Sequence, residues 1–272
     1  MIDLIQTMLS YPFMVRALIV GILVSLCAAL IGVSLVLKRY SMIGDGLSHV
    51  GFGTLSVAMA LNFAPLPITI PVLMIAAFLL LRLNNNSKVK GDAAIAIVSS
   101  SALAVGVVAA SLSKGINTDI SSFLFGSILA MSNSDVIISV LVTVIVLALY
   151  VLFYNRIFSV TFDEQFSKAT GIPVGGYNML LALLTAMVIV VGMRLMGAML
   201  ISSLIIFPAL TSMRVFRSFR RVIICSGFLS ITGFVIGLCI SFALETSSGA
   251  TIVLTHLTFF LIFSFIGFIR RR

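Results

Sequence analysis

The chain has 272 residues, 61% of them hydrophobic and only 9% charged, with a mean hydropathy of +1.26. Soluble domains carry about 25% charged residues, so this composition excludes an ordinary water-soluble domain and indicates a polytopic membrane protein. The formal charge of +9 raises nucleic acid as a partner, but only the distribution of the charge can decide that.

In chain order, the opening stretch "MIDLIQTMLSYPF" has no basic leading region and no small-residue cleavage site, so the N-terminus is expected to be retained. Apolar runs of spanning length, about 17–25 residues each, follow at 17–37, 44–64, 66–83, 92–113, 134–154, 175–193, 195–212, 222–244 and 250–269. The expected fold is therefore all-α, a polytopic membrane helical bundle of eight to nine spans, with nine the preferred count. One apolar piece, Asp119 to Ser132 ("DISSFLFGSILAMS"), is too short to cross and reads as a half-helix or re-entrant segment. Such backbone is tolerated at membrane depth only where protein buries it or where it lines a wet cavity.

Alternating the spans sorts the basic residues. All but three of the 17 Lys and Arg fall on one face, from Lys38 and Arg39 through Arg214 to Arg272, and only Arg16, Lys114 and Arg194 fall opposite. The rich face is cytoplasmic by the positive-inside rule, which puts the C-terminus inside, the N-terminus outside and the number of spans odd. Topology thus accounts for the positive charge, with anionic headgroups as a secondary partner. Cys27, Cys225 and Cys239 are odd in number and lie in apolar runs, so they read as small buried hydrophobes rather than a disulfide framework. Glycine, serine or alanine in every span allows close helix packing, and no repeat at a fixed period stands out.

The stretch "IGDGLSHVG", Ile43 to Gly51, is the first with chemistry. A charge at the bilayer centre costs roughly 2.5–3.5 kcal/mol on insertion scales. Asp45 and His49 are one helical turn apart on one face, a carboxylate and an imidazole that suit manganese, iron or zinc better than copper(I). The same residues allow plainer roles: Asp45 as the cap of the second span, His49 as an interior histidine bonded to a neighbouring helix. Asp92, after Lys88 and Lys90, reads as the cap of the fourth span. His256 is a lone histidine in an apolar run, more readily structural than a ligand, and the 13 methionines are scattered as packing residues.

The longest polar interruption runs from Tyr154 to Gly176 and carries Phe158, Phe162 and Phe166 at i, i+4 and i+8 beside Asp163, Glu164 and Lys168. That spacing predicts a cytoplasmic helix with one aromatic face, stopped at Gly171 and Pro173. With few basic residues for a lipid anchor, the face suits a partner protein.

The segments "LKRYSMIGDGLSHVGFG", "FLFGSILAMSNSD", "FDEQFSKATGIP" and "MGAMLISSLIIFPALTS", in this order over nearly the whole chain, resemble the membrane permease of the zinc, manganese and iron family of ABC transporters. The resemblance implies a homodimeric permease in the bacterial cell membrane, multi-pass, with residues 1–272 forming one transmembrane domain. It implies two partners, a cytoplasmic ATP-binding subunit and an extracellular metal-binding protein. Asp45 and His49 would line the metal path, and residues 155–173 would form the coupling segment, with Asp163, Glu164, Phe166 and Gly171 facing the ATPase. The half-helix would match Ser121 to Met131, and Pro208 would kink its span.

No cofactor is expected on this chain. The divalent ion, manganese, zinc or iron, is cargo, and ATP belongs to the partner, since no G-x-x-x-x-G-K-[ST] loop occurs in the sequence. The tail ends at "RRR" without a histidine-rich extension, so nothing favours zinc. A homodimer would gather two aspartates and two histidines at its two-fold axis. Two rival classes remain: a proton-coupled secondary metal transporter using the same pair, and an intramembrane aspartyl protease built on Asp45 and Asp92. Against the protease, Asp92 lies beside two lysines, and His49 would have no task.

Overall fold

A computed structural model describes residues 8, 10–63, 65–86, 91–112, 126 and 133–269. Among them are eleven helices and no strand: α1 (Pro12–Leu37), α2 (Ser41–Ala60), α3 (Pro65–Asn86), α4 (Gly91–Leu112), α5 (Asn133–Leu152), α6 (Tyr154–Phe162), α7 (Glu164–Ala169), α8 (Val174–Met196), α9 (Ala198–Met213), α10 (Phe219–Leu244) and α11 (Ser248–Ile269). Nine of these fall on the predicted apolar runs. Six, α1, α4, α5, α8, α10 and α11, are long and apolar enough to cross a membrane, while α3 and α9 contribute the shorter apolar stretches Pro67–Arg82 and Ala198–Met213. The predicted half-helix, Ser121 to Met131, lies outside the described residues except for Gly126.

Local chemistry explains where the helices turn. Pro12 starts α1 at a position where a missing N–H costs nothing. At the other end the Lys38 N–H bonds to the Ser34 carbonyl at 3.1 Å and the Tyr40 N–H to the Leu35 carbonyl at 2.8 Å. Between them Arg39 takes the left-handed conformation, φ 60°, so the chain reverses into α2 with the last carbonyls of α1 satisfied. A single residue, Gly197 at φ 86° and ψ 160°, joins α8 to α9, a conformation essentially reserved for glycine. Pro71 and Pro208 sit inside α3 and α9, which continue past them.

The buried centre is made by α1, α8 and α9. Helix α9 packs on α1, α2, α8, α10 and α11, and α1 also meets α5, α6 and α10. Most of α1 and α8 is buried inside the molecule, whereas α4, α5 and α11 leave most of their surface outward. Those outward faces carry large apolar side chains such as Val108, Leu141 and Phe265, as lipid contact requires.

Since lipid is as apolar as leucine, helix contacts inside a membrane depend on close packing and polar bridges. Both occur. A Cβ on Gly32 would run into the Ile205 carbonyl, and one on Gly53 would lie 2.5 Å from the Ala102 carbonyl oxygen, so α1–α9 and α2–α4 approach backbone to backbone. The Ser230 hydroxyl donates to the Ser25 carbonyl at 2.8 Å, joining α10 to α1. Ser34 and Tyr150 share a hydroxyl contact at 3.2 Å, joining α1 to α5. The three cysteines are free thiols, Cys27 buried and the other two half-buried.

Candidate functional site

Helix α2 is the least lipid-like of the long helices, and the fold encloses it. It packs against α3, α4, α8 and α9, burying Gly44, Gly46, Gly51 and Gly53 along with Leu47, Phe52 and Leu55. It begins at Ser41, and its N-cap is Tyr40, which makes no side-chain cap bond. Asp45 therefore stands inside the helix, about 6 Å along its axis from Ser41 at 1.5 Å per residue. The capping role that the sequence allowed for Asp45 is excluded.

Asp45 and His49 do share a face. Oδ2 of Asp45 lies 3.7 Å from Nε2 of His49, with 44% and 24% of the two side chains exposed. At that distance the contact is electrostatic, not a hydrogen bond. Nδ1 of His49 is buried and has no hydrogen-bond partner, so the interior-histidine role, satisfied by a neighbouring helix, is not what the geometry provides. Two ligand atoms on a tetrahedral ion with bonds of about 2.0–2.1 Å stand about 3.4 Å apart. A closure of a few tenths of an ångström would let this oxygen and nitrogen hold one ion together.

Asp45 opens onto a cleft of about 560 Å³, whose far walls come from α9 and α11 through Ser202, Ser203, Phe207, Gly249 and Val253. Two serines bridge α2 to α9 beside the cleft: Oγ of Ser48 lies 3.1 Å from Oγ of Ser202 and 2.9 Å from the Gly44 carbonyl, while Ser202 Oγ lies 3.0 Å from the Ala198 carbonyl. Two hydroxyl protons cannot serve three contacts, so one of the backbone contacts gives way whenever α2 and α9 are bridged. Among the described residues no three His, Cys, Asp or Glu side chains are grouped closely enough to hold a metal. Among the described residues, one copy of the chain offers the pair and no third such ligand beside it.

The other sequence candidates fare differently. His256 is 1% exposed, its Nε2 lacks a partner, and its ring packs on Gly233 of α10 and edge-on to Phe259; it is not among the residues lining the Asp45 cleft. The Asp92 side chain lies outside the described residues. The aromatic spacing is corrected by the structure: α6 stops at Phe162, Asp163 is extended at φ −146°, and a separate helix, α7, starts at Glu164. Phe158 and Phe162 pack together at 4.9 Å and both meet Phe219 of α10, while Phe166 projects from α7, 63% exposed. The acid at Asp163 breaks the helix because its Oδ1 accepts the Phe166 N–H at 2.9 Å, an N-cap inside what periodicity alone joins into one element. Gly171 ends the segment at φ 79°, the left-handed turn that a glycine makes without strain.

Glu164 faces inward. Its Oε1 lies 2.6 Å from Nζ of Lys38 and accepts from Nδ2 of Asn178 at 3.1 Å. Partial burial opposes its charge, but the hydrogen bonds from Lys38 and Asn178, with the charges of Lys38 and Lys168, outweigh that and hold its carboxyl below the ordinary 4.5. Lys38 and Asn178 are the residues that sequence reasoning missed. Lys38 looked like one more positive-inside charge, and only a three-dimensional contact across more than a hundred residues distinguishes it.

Residues 10–267 match the ABC 3 transport family. The chain belongs to that family. Among its relatives are the manganese import system permease protein ScaB of Streptococcus gordonii, 33% identical over 97% of this chain and 95% of that protein, and the high-affinity zinc uptake system membrane protein ZnuB of Haemophilus influenzae, 28% identical over 90% and 94%. The solved structure described as PsaBC from Streptococcus pneumoniae in complex with Fab superposes with a TM-score of 0.87 at 33% identity, covering 97% of this chain and 95% of that one. Like these relatives, the chain is a multi-pass membrane permease of the ABC class.

Proposed function

We propose that this chain is the permease subunit of an ATP-driven importer for a divalent transition metal, and that two copies form the conducting unit. One observation carries the reading: Asp45 lines an open cleft and has Nε2 of His49 3.7 Å away, with no hydrogen bond between them. The other imidazole nitrogen, Nδ1, is buried without a hydrogen-bond partner, a cost of about 1–3 kcal/mol. Similarity to the manganese and zinc permeases supports a metal cargo.

The chain supplies two ligands, so a second copy related by a two-fold axis would supply two more. A transport site must be favourable to occupy and weak enough to leave, and a four-ligand set split between subunits meets both needs, since separating the subunits dissolves it. The nine long helices would all cross the membrane, with the basic loops and C-terminus cytoplasmic. The exposed Phe166 surface on α7, with Asp163 and Gly171 at its ends, would face the ATP-binding subunit, and a metal-binding protein would deliver the ion from outside. Zinc, manganese and iron(II) all accept oxygen and imidazole.

The test is reconstitution of the permease with its ATP-binding subunit in sealed vesicles, with uptake of manganese, zinc and iron(II) measured in competition. Uptake is expected only with ATP, and the preferred metal is read from the competition. Uptake driven by a proton gradient without ATP would overturn the assignment and favour the secondary transporter.

A further inference from the structure

Lys38 is an unusual lysine: its side chain is 4% exposed, although it ends a helix at a loop. Its ammonium group has two hydrogen-bond acceptors and an aromatic neighbour. It donates to Oε1 of Glu164 at 2.6 Å and to the Val160 carbonyl at 2.9 Å, and it lies 5.7 Å from the ring centre of Tyr40. Glu164 in turn takes the Asn178 amide at 3.1 Å, and Asn178 is buried. This one group of side chains therefore joins five elements: the end of α1, the cap of α2, the end of α6, the start of α7 and the start of α8.

Position gives the cluster its meaning. Asp45 follows Lys38 by seven positions in the sequence, with a tight reversal at Arg39 between them. Helix α2 continues unbroken from Ser41 through both Asp45 and His49, so a displacement of its first turn is carried to the pair as a rigid-body movement. On the other side the cluster grips the backbone of α6 and the first residue of α7. Helix α6 meets α1, α5, α7 and α8 and stacks its phenylalanines on Phe219 of α10, whereas the main contacts of α7 are with α6 and α8. Lys38 ties α7 to the α1–α2 corner through its bond to Glu164. Resting on the permease reading above, we infer that the Lys38–Glu164–Asn178 clamp is the link through which movement of the ATPase-facing helices α6 and α7 reaches the metal pair on α2. Lys38 is a positioning residue, acting through α2 without touching the ion.

An ion pair with one half-exposed partner is weak evidence of stability, because solvent screening reduces much of the attraction; its placement at a junction of five elements fits a device that fixes relative position. The alternative, a purely structural brace, makes a different prediction. Lys38→Met keeps the length of the side chain and removes its charge. Glu164 keeps Asn178 and is 40% exposed, so no buried charge is stranded and the variant folds.

The experiment compares wild-type and Lys38→Met permease, each assembled with the ATP-binding subunit in vesicles, measuring ATP hydrolysis and manganese uptake together, with assembly checked by size-exclusion chromatography. The clamp predicts an assembled variant that still hydrolyses ATP while manganese imported per ATP falls about ten-fold, within the usual range of coupling energies. An unchanged ratio of manganese to ATP overturns the inference, as does loss of assembly, which makes Lys38 a brace only. Absence of ATP-driven uptake in the wild type overturns the permease reading instead, so the two failures are distinguishable. Lys38→Met with Glu164→Gln, which removes both charges at once, is the second variant and must show the same uncoupling.

Discussion

Two acid–base pairs in this chain have opposite designs. Glu164 and Lys38 meet at 2.6 Å, and Lys38 also donates to the Val160 carbonyl, whereas Asp45 and His49 stand 3.7 Å apart and Nδ1 of His49 has no hydrogen-bond partner. The first pair brings sequence-distant helices together; the second sits on consecutive turns of one helix and ties nothing. A satisfied pair resists change, and an unsatisfied one is where the proposed cargo site is placed. The difference between them teaches where to test for cargo in an apolar protein: at the charge the fold leaves incomplete.

The sharpest way to break this contrast is to remove the incomplete pair. Asp45→Ala and His49→Ala are each expected to lower metal uptake by more than the roughly 10–100-fold that loss of a group hydrogen-bonded behind a metal ligand costs, with the melting temperature of the purified protein unchanged. Uptake near the wild-type rate in both variants removes the site. Packing provides the reverse case, in which stability changes first. Gly32→Ala drives a methyl group into the Ile205 carbonyl, where no rotamer can relieve it, and overpacking of this kind costs about 1–3 kcal/mol, seen as a lower melting temperature in detergent.

Acid tests the satisfied pair. Because the folded state holds the Glu164 carboxyl below its ordinary 4.5, its contribution is complete above that value and is lost as pH falls through the lower folded one. The half-exposed position limits the effect to about 1 kcal/mol at most, so wild type should lose slightly more stability than Glu164→Gln in thermal scans from about pH 6 down to about pH 3. Identical profiles would show that the pair adds nothing to stability. The smallest effect belongs to the double change Ser48→Ala with Ser202→Ala, about 0.6 kcal/mol for an interhelical polar contact in a membrane protein. A larger loss of uptake than of stability in that variant would bring the serines into the ion's path.

Much of the fold was legible because span length and side-chain hydropathy act locally. Each predicted run contains a helix, and the reversal after Lys38 and Arg39 falls where the basic pair interrupts the apolar pattern. The coupling segment was only half legible. Phenylalanine periodicity ran straight through Asp163, since periodicity has no memory of caps, and an aspartate's ability to accept a backbone N–H three residues on is a competing local signal of similar strength. At the site, spacing placed Asp45 and His49 on one face but left a cap and a ligand both open. The start of α2 at Ser41 removes the cap, and that start is set by the Lys38–Tyr40 reversal. Lys38 and Asn178 were not legible at all, because their significance lies in contacts with residues 126 and 14 positions away.

The enclosure of α2 also bears on how the protein is made. With an aspartate, a histidine and four glycines between Ser41 and Gly53, this helix is absent from those apolar enough to cross unaided, and the insertion machinery decides largely on apolarity. During synthesis it would depend on its neighbours, α1 before it and α3 and α4 after it, entering the bilayer as part of a group and not by its own partitioning. A mutation that loosens the Gly53–Ala102 contact would then be felt at birth, as a chain with a missing crossing and inverted downstream loops, before any ion was ever carried.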